Sequence, residues 1–349
     1  MAYTTIDDPS AYFQAKTYTG TSNIHDVTLD GNSDMQPDFV WFKNRTVGYS
    51  HHLYDSSRGV NKPLYSDLAN VEGSITNGLT RFDPDGFRVT SAASVNENSM
   101  VCWNWKANGS TTASNSDGSI TSTVQANTDA GFSIVTYTGN SNNPSSIGHG
   151  LGVVPKFYII KQRNSANAWK VYHSGMATNP EDYVMELNTT GAREDNAIWN
   201  DTGPTSSVIN FTDHGAVNQS GDTYVAYCFA EKQGYSKFVS YVGNGNASGP
   251  FVYTGFKPAF IIIKSSSSAQ GWWMGDSKRS TYNTQAASLY PNKADAEYTG
   301  TAHALDWLSN GFKIRNDNSR FNTSNASYIY MAFAENPFVT STGIPTTAR

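Results

Sequence analysis

Trp272 and Trp273, followed by Asp276 and Arg279, are the residues of this sequence best suited to meet a ligand. A sugar ring stacks an apolar face on an indole, while a nearby carboxylate and guanidinium take its hydroxyls. In a strand, adjacent side chains point to opposite faces, so at least one of the two indoles is expected in a core. Two expectations follow: a ligand site on Trp272, Trp273, Asp276 and Arg279, or an ion pair and turn brace between Asp276 and Arg279. The same spacing recurs at Asp55 and Arg58, while a third copy of the pattern holds His173 and Met176. That third copy argues against one shared site.

Other chemistry is sparse. Asp30, Asn32 and Asp34 place oxygens at alternating positions like the start of a calcium loop, but the downstream glycine and closing glutamate are missing. His51 and His52 are neighbours, a poor geometry for one metal on a strand. Glu181 and Asp182 read as loop acids. No nucleophile elbow, phosphate loop or dinucleotide fingerprint occurs. We therefore expect no catalytic residue, no metal, no cofactor and no enzymatic activity.

A net charge of −5 without a basic stripe argues against nucleic acid as a partner. No apolar run approaches the length of a membrane span. Cys102 and Cys228 lie in different parts of the chain without metal-ligand spacing, so both are expected as buried free thiols. The opening Met1-Ala2-Tyr3-Thr4-Thr5 has no basic-then-apolar leader, which predicts folding in a cytoplasm.

The elements that must position these residues come as a repeat. Three segments open on Tyr18-Thr19-Gly20, Tyr137-Thr138-Gly139 and Tyr241-Val242-Gly243. Each continues to a proline and, six residues on, a lysine: Pro37 and Lys43, Pro155 and Lys161, Pro258 and Lys264. Eight residues beyond the lysine stand His51, Trp169 and Trp272; twelve beyond it stand Asp55, His173 and Asp276. Each segment closes on an aromatic strand ending at Trp105, Phe229 or Phe333. Chance does not produce that ordered set three times.

The runs between proline and lysine are short, β-branched or aromatic, and bounded by turn residues, which predicts buried strands. The closing strands alternate: Val101, Trp103 and Trp105 share one face, as do Val225, Tyr227 and Phe229, and Ile329, Met331 and Phe333. The lysine is expected to cap the exposed end of its strand, its stem lying on apolar surface. We expect an all-β chain of three tandem β-sandwich repeats, jelly-roll or concanavalin-like, each of about 100 residues. The divisions read 1–106 with an N-terminal arm, 107–130 as linker or long loop, 131–232, 233–338, and 339–349 as a C-terminal arm, frayed or extended onto a neighbour. Only Lys232-Gln233-Gly234 separates the second and third units, which predicts the more rigid junction there.

The run from Tyr137-Thr138-Gly139 through His149, Pro155, Lys161, Trp169 and His173, with the ending Glu335-Asn336-Pro337-Phe338, resembles a repeat domain of unassigned function in virion proteins of marine bacteriophages, chiefly those of cyanobacteria. The opening through Phe13 resembles the start of such proteins. The resemblance implies a particle component: a tail-fibre or tail-tip protein contributing to attachment to host-surface glycan, or a capsid-surface decoration or tail accessory protein. It further implies other virion proteins as partners, assembly in the host cytoplasm and a place on the virion. Phage fibres are commonly trimers, but no element here specifies three strands. Three pseudo-equivalent units in one chain are able to mimic a trimer by themselves.

Overall fold

The recurring tyrosine and glycine turn out to anchor the same local device three times. Just before each closing strand the chain makes one helical turn, at Ala93–Asn96, Gly215–Asn218 and Ser319–Asn322. The hydroxyls of Tyr18, Tyr137 and Tyr241 donate to the carbonyls of Val95, Val217 and Phe321 in those turns. The glycine two residues later lets the turn approach. A Cβ on Gly20 would fall 2.2 Å from the Glu97 nitrogen, and one on Gly139 or Gly243 would fall 2.3 Å from a carbonyl oxygen. No other residue fits there.

The computed structural model describes residues 2–346. The chain is all-β, built from several antiparallel sheets. Each unit has a main sheet with the same strand order: opening, closing, central, fourth. In the first unit these are Phe13–Thr21, Glu97–Trp105, Phe39–Asn44 and His52–Asp55. In the second they are Phe132–Thr138, Thr223–Phe229, Phe157–Gln162 and Lys170–His173; in the third, Ser236–Val242, Ser327–Pro337, Phe256–Ser265 and Trp273–Asp276. The register is conserved. Phe39, Phe157 and Phe260 stand opposite Trp105, Phe229 and Phe333.

Each main sheet is apolar on both faces. In the first unit Val40, Phe42, Tyr54 and Cys102 pack against a small second sheet through Val27, Phe87 and Val89. In the third, Ile261, Ile263 and Trp273 do the same with Val252, Trp307 and Phe312.

The opposite faces do not cover separate cores. Residues from all three main sheets join one apolar cluster. At its centre Trp105, Phe229 and Phe333 touch pairwise, with ring centroids 6.3, 5.6 and 5.9 Å apart. This triangle marks a pseudo-threefold axis. The three units are therefore not beads on a string; each buries its inner face only against the other two.

Residues 107–130 differ from the linker or long loop expected there. They contribute the strands Ala113–Asn115 and Ser122–Asn127, which extend the second unit's main sheet beyond its opening strand. Ser, Thr and Asn disguised the strands, because this edge is half solvated and needs no apolar alternation. Over residues 339–346 the chain after Phe338 folds back on the body. The Ser341 nitrogen donates to Asp7 at 2.6 Å, and Val339 pairs with Pro345. The rest of the expected arm lies outside the described residues. Cys102 and Cys228 are buried free thiols, and burial pushes each up to about 12.

A shared core predicts shared unfolding. Calorimetry should give a single cooperative transition rather than three, and Trp105→Ala should lower stability by about 3–5 kcal/mol. Separate transitions, with only one displaced by Trp105→Ala, would contradict the common core.

Candidate functional site

The residues eight and twelve positions beyond each recurring lysine lie at a seam between units, and the contacts run round the axis in one sense. The Trp169 indole donates to the Tyr65 carbonyl of the first unit at 2.8 Å, and the Trp272 indole to the Glu186 carbonyl of the second at 2.9 Å. His51 Nε2 faces the Tyr290 carbonyl of the third at 3.0 Å. The cycle closes. A second cycle joins the fourth strands to the closing strands. Tyr227 donates to Asp55 at 2.6 Å, the Trp103 indole to Asp276 at 3.0 Å, and His173 Nε2 to the Tyr330 carbonyl at 3.0 Å.

Two of the three seams carry buried ion networks. Glu72 takes a bidentate pair from Arg163 at 2.9 and 3.0 Å and a third bond from Arg58 at 2.8 Å. Glu297 is matched likewise by Arg45 at 3.0 and 2.8 Å and by Arg279 at 2.8 Å. Burial works against the Glu72 and Glu297 carboxylates, but the arginines outweigh it and hold both below their ordinary value. At the third seam Ser266 stands where the others have arginine and Arg193 where they have glutamate. Only the backbone bond survives, from the Arg193 nitrogen to the Ser266 carbonyl at 3.0 Å. Arg193 turns instead to the Met176 carbonyl at 2.7 Å and the Tyr183 ring. The junction with the shortest covalent connection thus has the fewest polar cross-links.

The recurring lysines are not strand-end caps with solvated heads. Lys43, Lys161 and Lys264 are wholly buried, and their ammonium groups donate to backbone carbonyls. Lys43 reaches Asn44, Tyr49 and, across the seam, Ala294 at 3.0, 2.7 and 2.8 Å. Lys161 reaches Gln162 at 2.7 Å and Ala69 across the seam at 3.1 Å. Lys264 reaches Ser265 at 2.7 Å and makes a longer contact to Ser268 at 3.5 Å. Burial pulls Lys43 and Lys161 down to about 8; burial and the Arg320 guanidinium pull Lys264 to about 7.

The structure brings Asp276 and Arg279 together, but inside the protein, and sends Trp272 and Trp273 elsewhere. Trp272 joins the common core and Trp273 the third unit's own core, on opposite faces. Asp276 braces the Arg279 nitrogen at 2.8 Å and pairs its side chain at 2.6 Å, as Asp55 does for Arg58. Both indoles are almost fully covered, so neither offers a ring face to a sugar. The ion pair and turn brace are what these residues make. Asp30 lies between Lys16 and Lys278, each at 3.3 Å. Among the described residues no three His, Cys, Asp or Glu side chains cluster as metal ligands, and no helix is long and apolar enough to cross a membrane.

Sequence reasoning missed Asn96, Asn218 and Asn322, buried at the end of each helical turn. Their side-chain oxygens accept from the nitrogens of Thr21, Asn140 and Asn244 at 3.0, 2.9 and 2.7 Å. The signal was present, since each follows the residue whose carbonyl takes the tyrosine hydroxyl. Varying distance to the closing strand hid it.

The model of a domain of unknown function (DUF7483) matches residues 8–337 in a single span. The chain belongs to that family. The match covers all three units at once, so the family domain is the closed body rather than one repeat. No curated protein matches the chain.

Two outcomes follow from the seams. Glu72→Ala should cost about 2–3 kcal/mol, short of a fully buried pair because Glu72 is partly solvated, whereas Arg193→Ala at the third seam should cost no more than about 1 kcal/mol. Denaturant titration of the two variants measures the contrast. The lysines set a pH dependence. Their folded values lie below the ordinary 10.5, so between pH 7 and 9 the unfolded chain holds more protons and stability rises with pH. Above pH 9 the buried thiols act oppositely, since unfolded cysteines ionise first. Lys264→Met should flatten that rise more than Lys43→Met or Lys161→Met, read as unfolding free energy against pH.

Proposed function

We propose that this chain is a structural protein of a bacteriophage particle, a tail-fibre or tail-tip component that contributes to attachment to host-surface glycan. The observation that carries the reading is the pseudo-threefold closure. One chain supplies, already assembled, the outline that a trimeric fibre builds from three. The recurring side chains are spent on holding that outline, which is the economy of a scaffold rather than of a catalyst. The sequence resemblance to virion proteins of marine phages supplies the setting. Its partners in this reading are other virion proteins.

Glycan contact falls to the surface rather than to Trp272, Trp273, Asp276 and Arg279. Tyr282, Tyr253 and Phe251 of the third unit are the most exposed rings among the described residues, at 82, 53 and 48 %. A sugar stacks on such rings without the chain having to open. A second reading, capsid decoration or a tail accessory role without receptor contact, is favoured by the burial of the four residues that resembled a sugar site.

Gold-labelled antibody on purified particles should decorate the tail end, and purified protein should bind cyanobacterial host cells through a contact weakened by Tyr282→Ala. Label on the capsid surface without cell binding would select the second reading. Absence from the particle would defeat both.

A further inference from the structure

Among the described residues the first unit's opening strand has a neighbour on one side only, the closing strand. Along its free edge runs a cleft of about 260 Å³, lined by Phe13, Gln14 and Ala15 of that strand and by Ser277, Lys278 and Glu335 of the third unit. An adjoining cleft of about 250 Å³ shares Ser277, Lys278 and Glu335.

The pseudo-threefold axis tells what belongs there. Turned onto the seam between the second and first units, Phe13 and Ala15 fall on Phe132 and Ile134, and Ser277 and Lys278 on Ser56 and Ser57. The equivalence is held by backbone as well as by sequence. The nitrogens of Ser56 and Ser277 donate to the carbonyls of Asp38 and Ala259 at 2.8 and 2.9 Å. At that seam the place is filled by the strand Ser122–Asn127, which pairs Asn127 with Phe132 and Gln125 with Ile134. Gln125 points inward. Its amide donates to Ser56 and Ser57 at 3.0 and 2.9 Å and accepts from the Asn108 nitrogen at 3.1 Å. Asn336, which lines the open cleft, occupies the position of Asn108. At the remaining seam there is no room: a Cβ on Gly175 would lie 3.1 Å from the Ser240 nitrogen of the third unit's opening strand. One seat is filled, one is closed and one is open.

We propose that the open seat between the first and third units receives an extended strand of a partner polypeptide, uncharged and presenting an amide side chain inward as Gln125 does. The length of the lining fits three or four residues at roughly 3.3 Å each. An uncharged occupant follows from the charges at the rim, which already match each other: Lys278 with Asp30 at 3.3 Å, Lys257 with Glu335 at 2.5 Å. Backbone pairing supplies affinity and the amide supplies register, as in strand addition to a sheet edge. The loop beside the seat is held by side chains, the Gly31 nitrogen donating to Gln14 at 2.7 Å, so it borders the cleft without laddering onto the strand. The seat stands whether or not the protein belongs to a particle.

The probe is a synthetic peptide of residues 120–128, titrated into the full chain by calorimetry and by hydrogen exchange. We expect saturable one-to-one binding, new amide protection confined to residues 13–17, about tenfold weaker binding when the peptide's glutamine is replaced by leucine, and loss of binding in Ser277→Trp. Exchange on the unaltered chain reads the seat even if Ser277→Trp does not fold. No saturable binding at millimolar peptide, indifference to the glutamine, or protection changes at residues 132–138 instead would overturn the proposal. So would protection of residues 13–17 by an oligosaccharide alone, or by self-association of the chain without peptide.

Discussion

The structure depends on one unmet need: each main sheet is apolar on both faces and has a partner sheet for only one of them. The small second sheets cover the outer faces. The inner faces carry Phe39, Trp103 and Trp105 in the first unit and their counterparts in the others, and nothing within a unit covers them. Three such faces close on one another in a single apolar cluster. Trp105, Phe229 and Phe333 meet because they are the last inward aromatic residues of the closing strands, where the three sheets converge.

Closure then constrains the polar residues. A sheet that packs edge to face against its neighbour buries strand ends and the loops that follow them, and buried polar groups must find partners. The cyclic bonds from His51, Trp169 and Trp272 and from Asp55, His173 and Asp276 are those partners. The same need explains the buried lysines, whose ammonium groups collect carbonyls that the turns leave unpaired. Where the second unit has drifted, at Met176 and Arg193, the backbone bond outlasts the lost ion network, and Arg193 finds a carbonyl and a ring in place of a carboxylate. Symmetry at the level of backbone therefore outlasts symmetry at the level of charge.

Departures from the symmetry are where the surface acquires individuality. The extra strands of residues 107–130 fill one seam, Gly175 closes another, and the third stays open beside Phe13–Thr21. In a body whose repeated residues face inward, such asymmetries and the exposed rings of the third unit are what a partner meets.

The sequence by itself determined the all-β class, the threefold spacing, the shared face of each closing strand and the two buried thiols, and it gave the brace between Asp276 and Arg279 as one of two readings. All of these are written in local spacing: alternation fixes a face, and a three-residue interval fixes a turn. It did not determine what the recurring residues face. Trp272 and Trp273 read as a sugar platform, and Lys43, Lys161 and Lys264 as strand-end caps, because spacing along a chain says which side chains share a surface but not whether another unit covers it. Residues 107–130 read as a linker because strand pairing at a solvated edge leaves little apolar imprint. Only the tertiary structure decided these points, since closure about the axis joins residues as far apart in the chain as Lys43 and Ala294. The threefold repeat is a property of the sequence; the threefold body is a property of three apolar faces that only one another can cover.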